Sequence, residues 1–265
     1  LWLISGKEIL MKHGDFTELA ENYKYRPAYS KLILKALLQY VGYNPERDFT
    51  IAEVGAGTGK LTKMLLELGL HVTAVEPNDV MRGEGIKYTQ EYKVDWIKGN
   101  GESTTLKDEY ADWVVMASSF HWTDPRLSLP EFYRILKSAG YFTVMWNPRN
   151  IEASELHKKI EDEIYKIIPY IKRISSGAKH HTKKWEEVLL STGHFKNVIF
   201  MEVDHEEVMS KEQYMGAWKS VNDIRVQAGE ERWQLILDVI ESEIKDLDII
   251  GIPYKICAWT AQKKW

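Results

Sequence analysis

The stretch TIAEVGAGTGKLTKMLLELGLHVTAVE, Thr50 to Glu76, constrains the fold more than any other. Ile51, Ala52 and Val54 form a short apolar run around Glu53, followed by Gly55-Ala56-Gly57-Thr58-Gly59, with glycine at alternate positions. Leu61, Met64, Leu65 and Leu68 then recur at the i, i+3, i+4, i+7 spacing of an amphipathic helix. Gly69 suits the residue just past a helix end, and Val72, Ala74 and Val75 begin a second strand. A strand, a glycine turn and a helix in that order present bare backbone and a helix N-terminus to a ligand. Glu76 falls at the carboxyl end of the second strand, where an acid accepts from both hydroxyls of a ribose. The expected ligand is a nucleoside.

The glycine spacing separates two kinds of nucleoside. A dinucleotide fold uses G-x-G-x-x-G to seat a pyrophosphate on the helix N-terminus. Here the pattern is G-x-G-x-G, and Glu53 just before it would repel a pyrophosphate, which speaks against a nicotinamide-dependent dehydrogenase. The stretch resembles the first motif, (E/D)-x-G-x-G-x-G, of class I S-adenosylmethionine (SAM) methyltransferases. The resemblance implies that Glu53, Gly55, Ala56, Gly57 and Gly59 line the cofactor, and that Glu76 with Pro77 holds its ribose.

Further segments carry the same resemblance. Tyr23-x-Tyr25-Arg26-Pro27-x-Tyr29 resembles a Y-x-x-R-P-x-Y segment that lies over the cofactor in small-molecule methyltransferases. It implies Tyr23 and Arg26 near the methionine end, with Tyr25 and Tyr29 toward the acceptor. The resemblance places Met81 on the adenine face, a task that suits its polarisable thioether. Lys98-Gly99-Asn100-Gly101-Glu102 is similar to the G-D-A-E loop that reads the adenine edge, with Asn100 in place of the aspartate. An amide oxygen still accepts from the adenine amino group, but without charge. Ser118-Ser119-Phe120-His121-Trp122 resembles the S-x-F-H-W segment of the trans-aconitate methyltransferase-like group. It implies Ser118 and Ser119 at the cofactor, Phe120 and Trp122 at the acceptor, and His121 as a general base or a hydrogen-bonding orienter. Arg134-Ile-Leu-Lys-Ser138-Ala139-Gly140 is similar to the R-x-L-K-P-G-G turn, with Ser138 and Ala139 replacing proline and glycine.

Short apolar runs recur around 94–97, 112–117, 141–146, 195–203 and 252–260, and helical spacing falls between them. The expected fold is α/β: a doubly wound, Rossmann-like, seven-stranded sheet with helices on both faces, and the family resemblance implies that it is mostly parallel with an antiparallel last strand. Four segments are expected: an N-terminal extension 1–15, a SAM-binding core 16–150, a lid or insertion 151–194, and the rest of the core, 195–265. Met11 reads as the natural start, with residues 1–10 a remnant before it. Trp146, Asn147 and Arg149 at the tip of the fifth strand, and Trp218 further on, are acceptor-pocket candidates. The basic run from Lys172 to Lys184 reads as a solvated face.

Composition narrows the partners. A net charge of −4 gives no basic surplus for nucleic acid. The lone Cys257 leaves no internal disulfide and fits a reducing cytoplasm. No stretch approaches the length of a membrane span. The reading is therefore an enzyme that takes SAM as cofactor, yields S-adenosylhomocysteine, and methylates a small molecule at O or N, a carboxylate metabolite among the candidates. The rival from another class is a SAM-binding regulatory protein without transfer activity; product formation separates the two.

Overall fold

The computed structural model describes residues 25–172 and 184–265. Tyr23, the expected N-terminal extension and most of the basic run lie outside these residues.

Seven strands form one sheet, in the order β3-β2-β1-β4-β5-β7-β6. They are β1 (Thr50–Val54), β2 (His71–Val75), β3 (Asp95–Ile97), β4 (Ala111–Ala117), β5 (Leu136–Trp146), β6 (Phe195–Ser210) and β7 (Ile249–Lys263). The helices are α1 (Lys31–Tyr40), α2 (Lys60–Glu67), α3 (Asp79–Tyr88), α4 (Pro125–Ile135), α5 (Glu155–Ile167), α6 (Trp185–Leu190), α7 (Lys211–Lys219) and α8 (Asn222–Glu243). Strands β1 to β5 pair in parallel, and β7 pairs antiparallel with β5. The chain leaves β1 toward β2 and β3, then returns to place β4 on the other side of β1. In an open α/β sheet, ligands bind outside the carboxyl ends of the strands at such a reversal.

Two compact units divide the chain. The sheet unit holds Ala28–Asn147, Ile256–Trp265 and, of the described residues, 184–203; the other holds 25–27, 148–172 and Asp204–Lys255. In the sheet unit, side chains alternate between the two faces because successive residues of a strand point to opposite sides. Ala52, Val54, Val114, Met116, Phe142 and Val144 join Phe120, Phe132, Trp185 and Leu189 in one core. Ile51, Val72, Trp113, Val115 and Met145 join Ile33 and Leu37 of α1 and Leu61 and Leu65 of α2 in another. Polar groups inside are paired: the Trp113 indole donates to Thr143 at 2.8 Å, and Thr143 meets Thr260 at 2.8 Å. In the second unit, Ile160 and Ile164 of α5, Tyr214 and Trp218 of α7, Ile236 and Ile240 of α8, and Ile252 of β7 form a third core.

Several elements differ from the sequence expectation. The fifth strand starts at Leu136, five residues earlier than expected, because Leu136 already pairs with Ala111 before a register shift. Strand β6 runs on through the polar MEVDHEEVMS segment, exposed and partly buried residues alternating along it. The long helix begins at Asn222, and Gly229 breaks it at φ 73°, ψ 162°. Gly69, at φ 79°, closes the turn after α2, as expected of a residue just past a helix end. Among the described residues, no helix is long and apolar enough to cross a membrane.

Candidate functional site

The glycine turn sits at the carboxyl end of β1. Gly55, Gly57 and Gly59 all take positive φ, between 59° and 80°, which glycine adopts at no steric cost. Gly55 faces the neighbouring β4 connection so closely that a Cβ there would lie 2.7 Å from Ser119 Oγ. Ser119 in turn donates to the Val54 carbonyl. The turn and the β4 connection therefore meet at the reversal of strand order.

Glu76 follows β2 and is almost wholly buried. Its two oxygens accept from backbone N–H groups, one from Gly57 at 2.8 Å and the other from Asn78 at 2.9 Å. A carboxylate offers about four acceptor positions, so each oxygen keeps one for a further donor. The N–H groups fix the carboxylate against the turn, and the Asn78 side chain caps α3 by accepting from Val80 and Met81. Burial pushes the Glu76 carboxyl up, while the two N–H groups and Arg82 pull against it. Glu53, on β1, is fully enclosed and accepts from the Thr62 hydroxyl of α2 at 2.6 Å. Burial raises its carboxyl to about 8, Thr62 opposing and the nearby Glu76 adding to the rise. It is a neutral acid at pH 7, so the charge repulsion of a pyrophosphate expected of Glu53 does not hold, and only the glycine spacing still speaks against a dinucleotide.

Met81 brings its Cε within 3.5 Å of where a Gly57 Cβ would stand, so the thioether lies directly over the turn. Trp96 of β3 supports the same region from behind. Its ring lies against Gly59 and Gly85, and its indole donates to Thr89. Neither Trp96 nor Gly85 was singled out by sequence reasoning; a glycine mid-helix is the signal that marks such a close approach. Asn100 uses its side-chain oxygen to accept from Glu102 N and Ser103 N, which closes the 99–103 loop on itself. Glu102 accepts from Asp124 N at the start of α4. Gly101 lies so close to Thr123 that a Cβ would come within 2.5 Å of its methyl group. Pro77 links Glu76 to the Asn78 cap.

Beyond β4, Ser118 takes φ 56°, a left-handed conformation that costs energy for a non-glycine residue, and its hydroxyl meets Tyr29 Oη at 3.2 Å. Asn147, after β5, donates to the Ala28 carbonyl at 2.9 Å, which ties the Ala28–Tyr29 segment to the strand tips. Trp146 donates its indole N–H to His121 Nδ1 at 3.2 Å. With Nδ1 accepting, the ring proton of a neutral His121 sits on Nε2, where it can donate to a neighbouring group. Trp122 packs 4.7 Å from the imidazole. Trp185 stacks on Trp146 at 4.3 Å, an aromatic wall that sequence reasoning missed. Phe120 lies in the core against Phe142 and Trp185, with its ring withdrawn from solvent.

Four candidate residues belong to the second unit. The Tyr25 ring covers Gly216, where a Cβ would meet it at 2.3 Å, and its hydroxyl lies 3.4 Å from Glu212. Arg26 donates to the Ser220 carbonyl. Arg149 lies over the Trp218 ring at 4.1 Å.

A seven-stranded sheet reversing at β1 and β4, a glycine turn over a buried acid, and a second-strand carboxylate pinned by two N–H groups are the features that the sequence resemblance to class I SAM-dependent methyltransferases leads one to expect. Comparison with known proteins agrees: residues 52–144 match the methyltransferase domain family. An uncharacterized methyltransferase of Mycobacterium tuberculosis is 35% identical over 47% of this chain and 48% of its own length. The chain thus aligns with about half the length of that relative. An uncharacterized methyltransferase of Schizosaccharomyces pombe is 25% identical over 93% of this chain and 96% of its own. Among solved structures, an Anaeromyxobacter dehalogenans protein proposed to be a type II methyltransferase superimposes with a TM-score of 0.62 at 16% identity, covering 89% of this chain and 97% of that one.

Proposed function

We propose that the protein transfers the methyl group of SAM to an O or N nucleophile of a small molecule. The observation that carries this reading is Glu76: a buried carboxylate, pinned by Gly57 N–H and Asn78 N–H beside Met81, with an acceptor position left on each oxygen for a ribose diol. When bound, SAM supplies an already activated sulfonium methyl group. The residues supply position. Gly55, Ala56, Gly57 and Gly59 give bare backbone beside the ligand, Met81 a polarisable face for the adenine, and the 99–103 loop backbone groups at the adenine edge. Glu53, neutral at pH 7, puts no fixed negative charge below the turn. Ser118, Tyr29 and Asn147 hold the strand tips together, and the neutral His121, with its proton on Nε2, orients an acceptor oxygen or nitrogen by donating to it. Transfer to a carboxylate or neutral amine needs no base, so orientation is the main contribution asked of the protein.

Calorimetry with S-adenosylhomocysteine tests the cofactor half. Glu76→Ala weakens binding by roughly 1–3 kcal/mol, the cost of lost charge-assisted hydrogen bonds. Unchanged affinity sinks the ribose assignment. Labelled methyl groups from SAM, offered with small-molecule, RNA and protein fractions, test the transfer half. Label in the small-molecule fraction alone supports the reading, and binding without any transfer would instead identify a regulatory protein.

A further inference from the structure

The second unit contains a polar cluster that the proposed cofactor site does not use. Arg149, from the segment after β5, places its guanidinium 4.1 Å from the Trp218 ring centre and 5.9 Å from that of Tyr214. The Tyr254 and Tyr214 hydroxyls and the more distant Glu161 carboxylate outweigh the effect of burial, and Arg149 stays a permanent cation. Among the described residues, no carboxylate forms an ion pair with it. Next to it, Ser154 Oγ bonds His157 Nδ1 at 2.7 Å, while His157 Nε2 is buried with no hydrogen-bond partner among the described residues. Burial, with Arg149 adding to it, lowers the His157 imidazole to about 4, so it is neutral at pH 7. Tyr214 Oη and Trp218 Nε1 are also buried; they lie within reach of each other, and neither has a further partner among the described residues.

Buried polar atoms are satisfied in the great majority of cases, and an unmet one costs about 1–3 kcal/mol. His157 Nε2 with no partner, and Tyr214 Oη and Trp218 Nε1 left with only each other, around one arginine and on three side chains at least 97% buried, form an arrangement a ligand completes. The donors set its chemistry. A planar guanidinium fits a carboxylate with two parallel hydrogen bonds, and an indole N–H and a phenol O–H suit the same oxygens. The histidine is neutral, so the site holds one positive charge and matches one negative charge. Around these groups stand Ile160, Ile164 and Ile252, in the same core as Tyr214 and Trp218, so what extends from the anion is apolar. Sequence reasoning had singled out Arg149 and Trp218 separately as acceptor contacts; the structure puts one on the other.

We propose that Arg149, His157, Tyr214 and Trp218 bind the carboxylate of a small molecule with an apolar body. The single charge excludes a polycarboxylate as the preferred ligand.

Calorimetry on the full chain tests this with phenylacetate and octanoate, with the matching alcohols and with citrate. Both monocarboxylates bind at least about tenfold more tightly than the alcohols and than citrate, and Arg149→Gln removes most of that preference, as expected when one partner of an enclosed charge pair is lost. Tyr214→Phe weakens the carboxylates with less risk to folding. S-adenosylhomocysteine affinity, read in the same samples, stays unchanged in both variants. Alcohols binding as well as the acids, or Tyr214→Phe and Arg149→Gln both binding as wild type does, overturns the proposal. Wild type that binds the carboxylates but not S-adenosylhomocysteine overturns the methyl-transfer reading instead and leaves the anion site standing. Binding of both ligands, with a labelled methyl group found on a carboxylic acid, supports the two together.

Discussion

Glu53→Gln removes a charge that the fold resists forming. The wild-type carboxyl is enclosed on β1 with only the Thr62 hydroxyl to stabilise it, and its pKa rises from 4.5 to about 8. The sign follows from proton uptake. Between pH 4.5 and 8 the folded state holds a proton that the unfolded state has released, so stability falls as pH rises through this window. A shift from 4.5 to about 8, at 1.36 kcal/mol per unit, amounts to roughly 5 kcal/mol, fully lost above pH 8. Glutamine keeps an oxygen for Thr62 and an N–H in place of the acid proton, so it mimics the neutral form. Near pH 5 the variant and wild type should agree within about 1 kcal/mol, the usual size of a near-isosteric change. At pH 9 the variant should be more stable by several kcal/mol, burial of the wild-type charge being the main cause and the like charge of nearby Glu76 a smaller one. Urea unfolding from pH 5 to 9, followed by tryptophan fluorescence, reads the difference directly. Parallel stability curves across that range would show that Glu53 ionises freely, and the neutral-acid argument would fail.

Three other outcomes test the supports of the site. Gly85→Ala puts a Cβ 2.1 Å from the Trp96 ring, and overpacking of this kind costs about 1–3 kcal/mol, so Tm falls; an unchanged Tm would mean the ring is free to move. Ala139 holds φ 61° where the resembled turn carries glycine, so Ala139→Gly should raise stability in urea by about 1 kcal/mol, and any loss refutes the strain. For His121, nitrogen-15 spectra should show the Nε2–H tautomer and Trp146→Phe should weaken that bias, whereas an Nδ1–H form in the wild type would restore it as a base.

The glycine turn, Glu76 and the alternation of strands and helices were legible because each rests on local spacing or on a motif within some thirty residues, while the antiparallel last strand was implied only by the family resemblance. Local order also placed Met81 close enough to Gly57 for the structure to bring them together. The reach of β6 and β7 was not legible, since Asp204 to Glu207 is polar on both faces and carries no strand-like alternation. Neither was the use of Asn100, whose oxygen closes its own loop, nor the burial of Phe120, which depends on Phe142 and Trp185 arriving from other elements. Trp185 fell within the expected insertion, yet it stacks on the fifth strand. The sequence alone determined that this chain builds a glycine turn between β1 and α2 with an acid just after β2, because period and spacing act over a few residues. Only tertiary structure decided that Glu53 is enclosed against Thr62, that the Trp146 indole meets His121 Nδ1, and that Arg149 lies on Trp218. Each of these depends on burial and on partners from other elements, which no local pattern encodes.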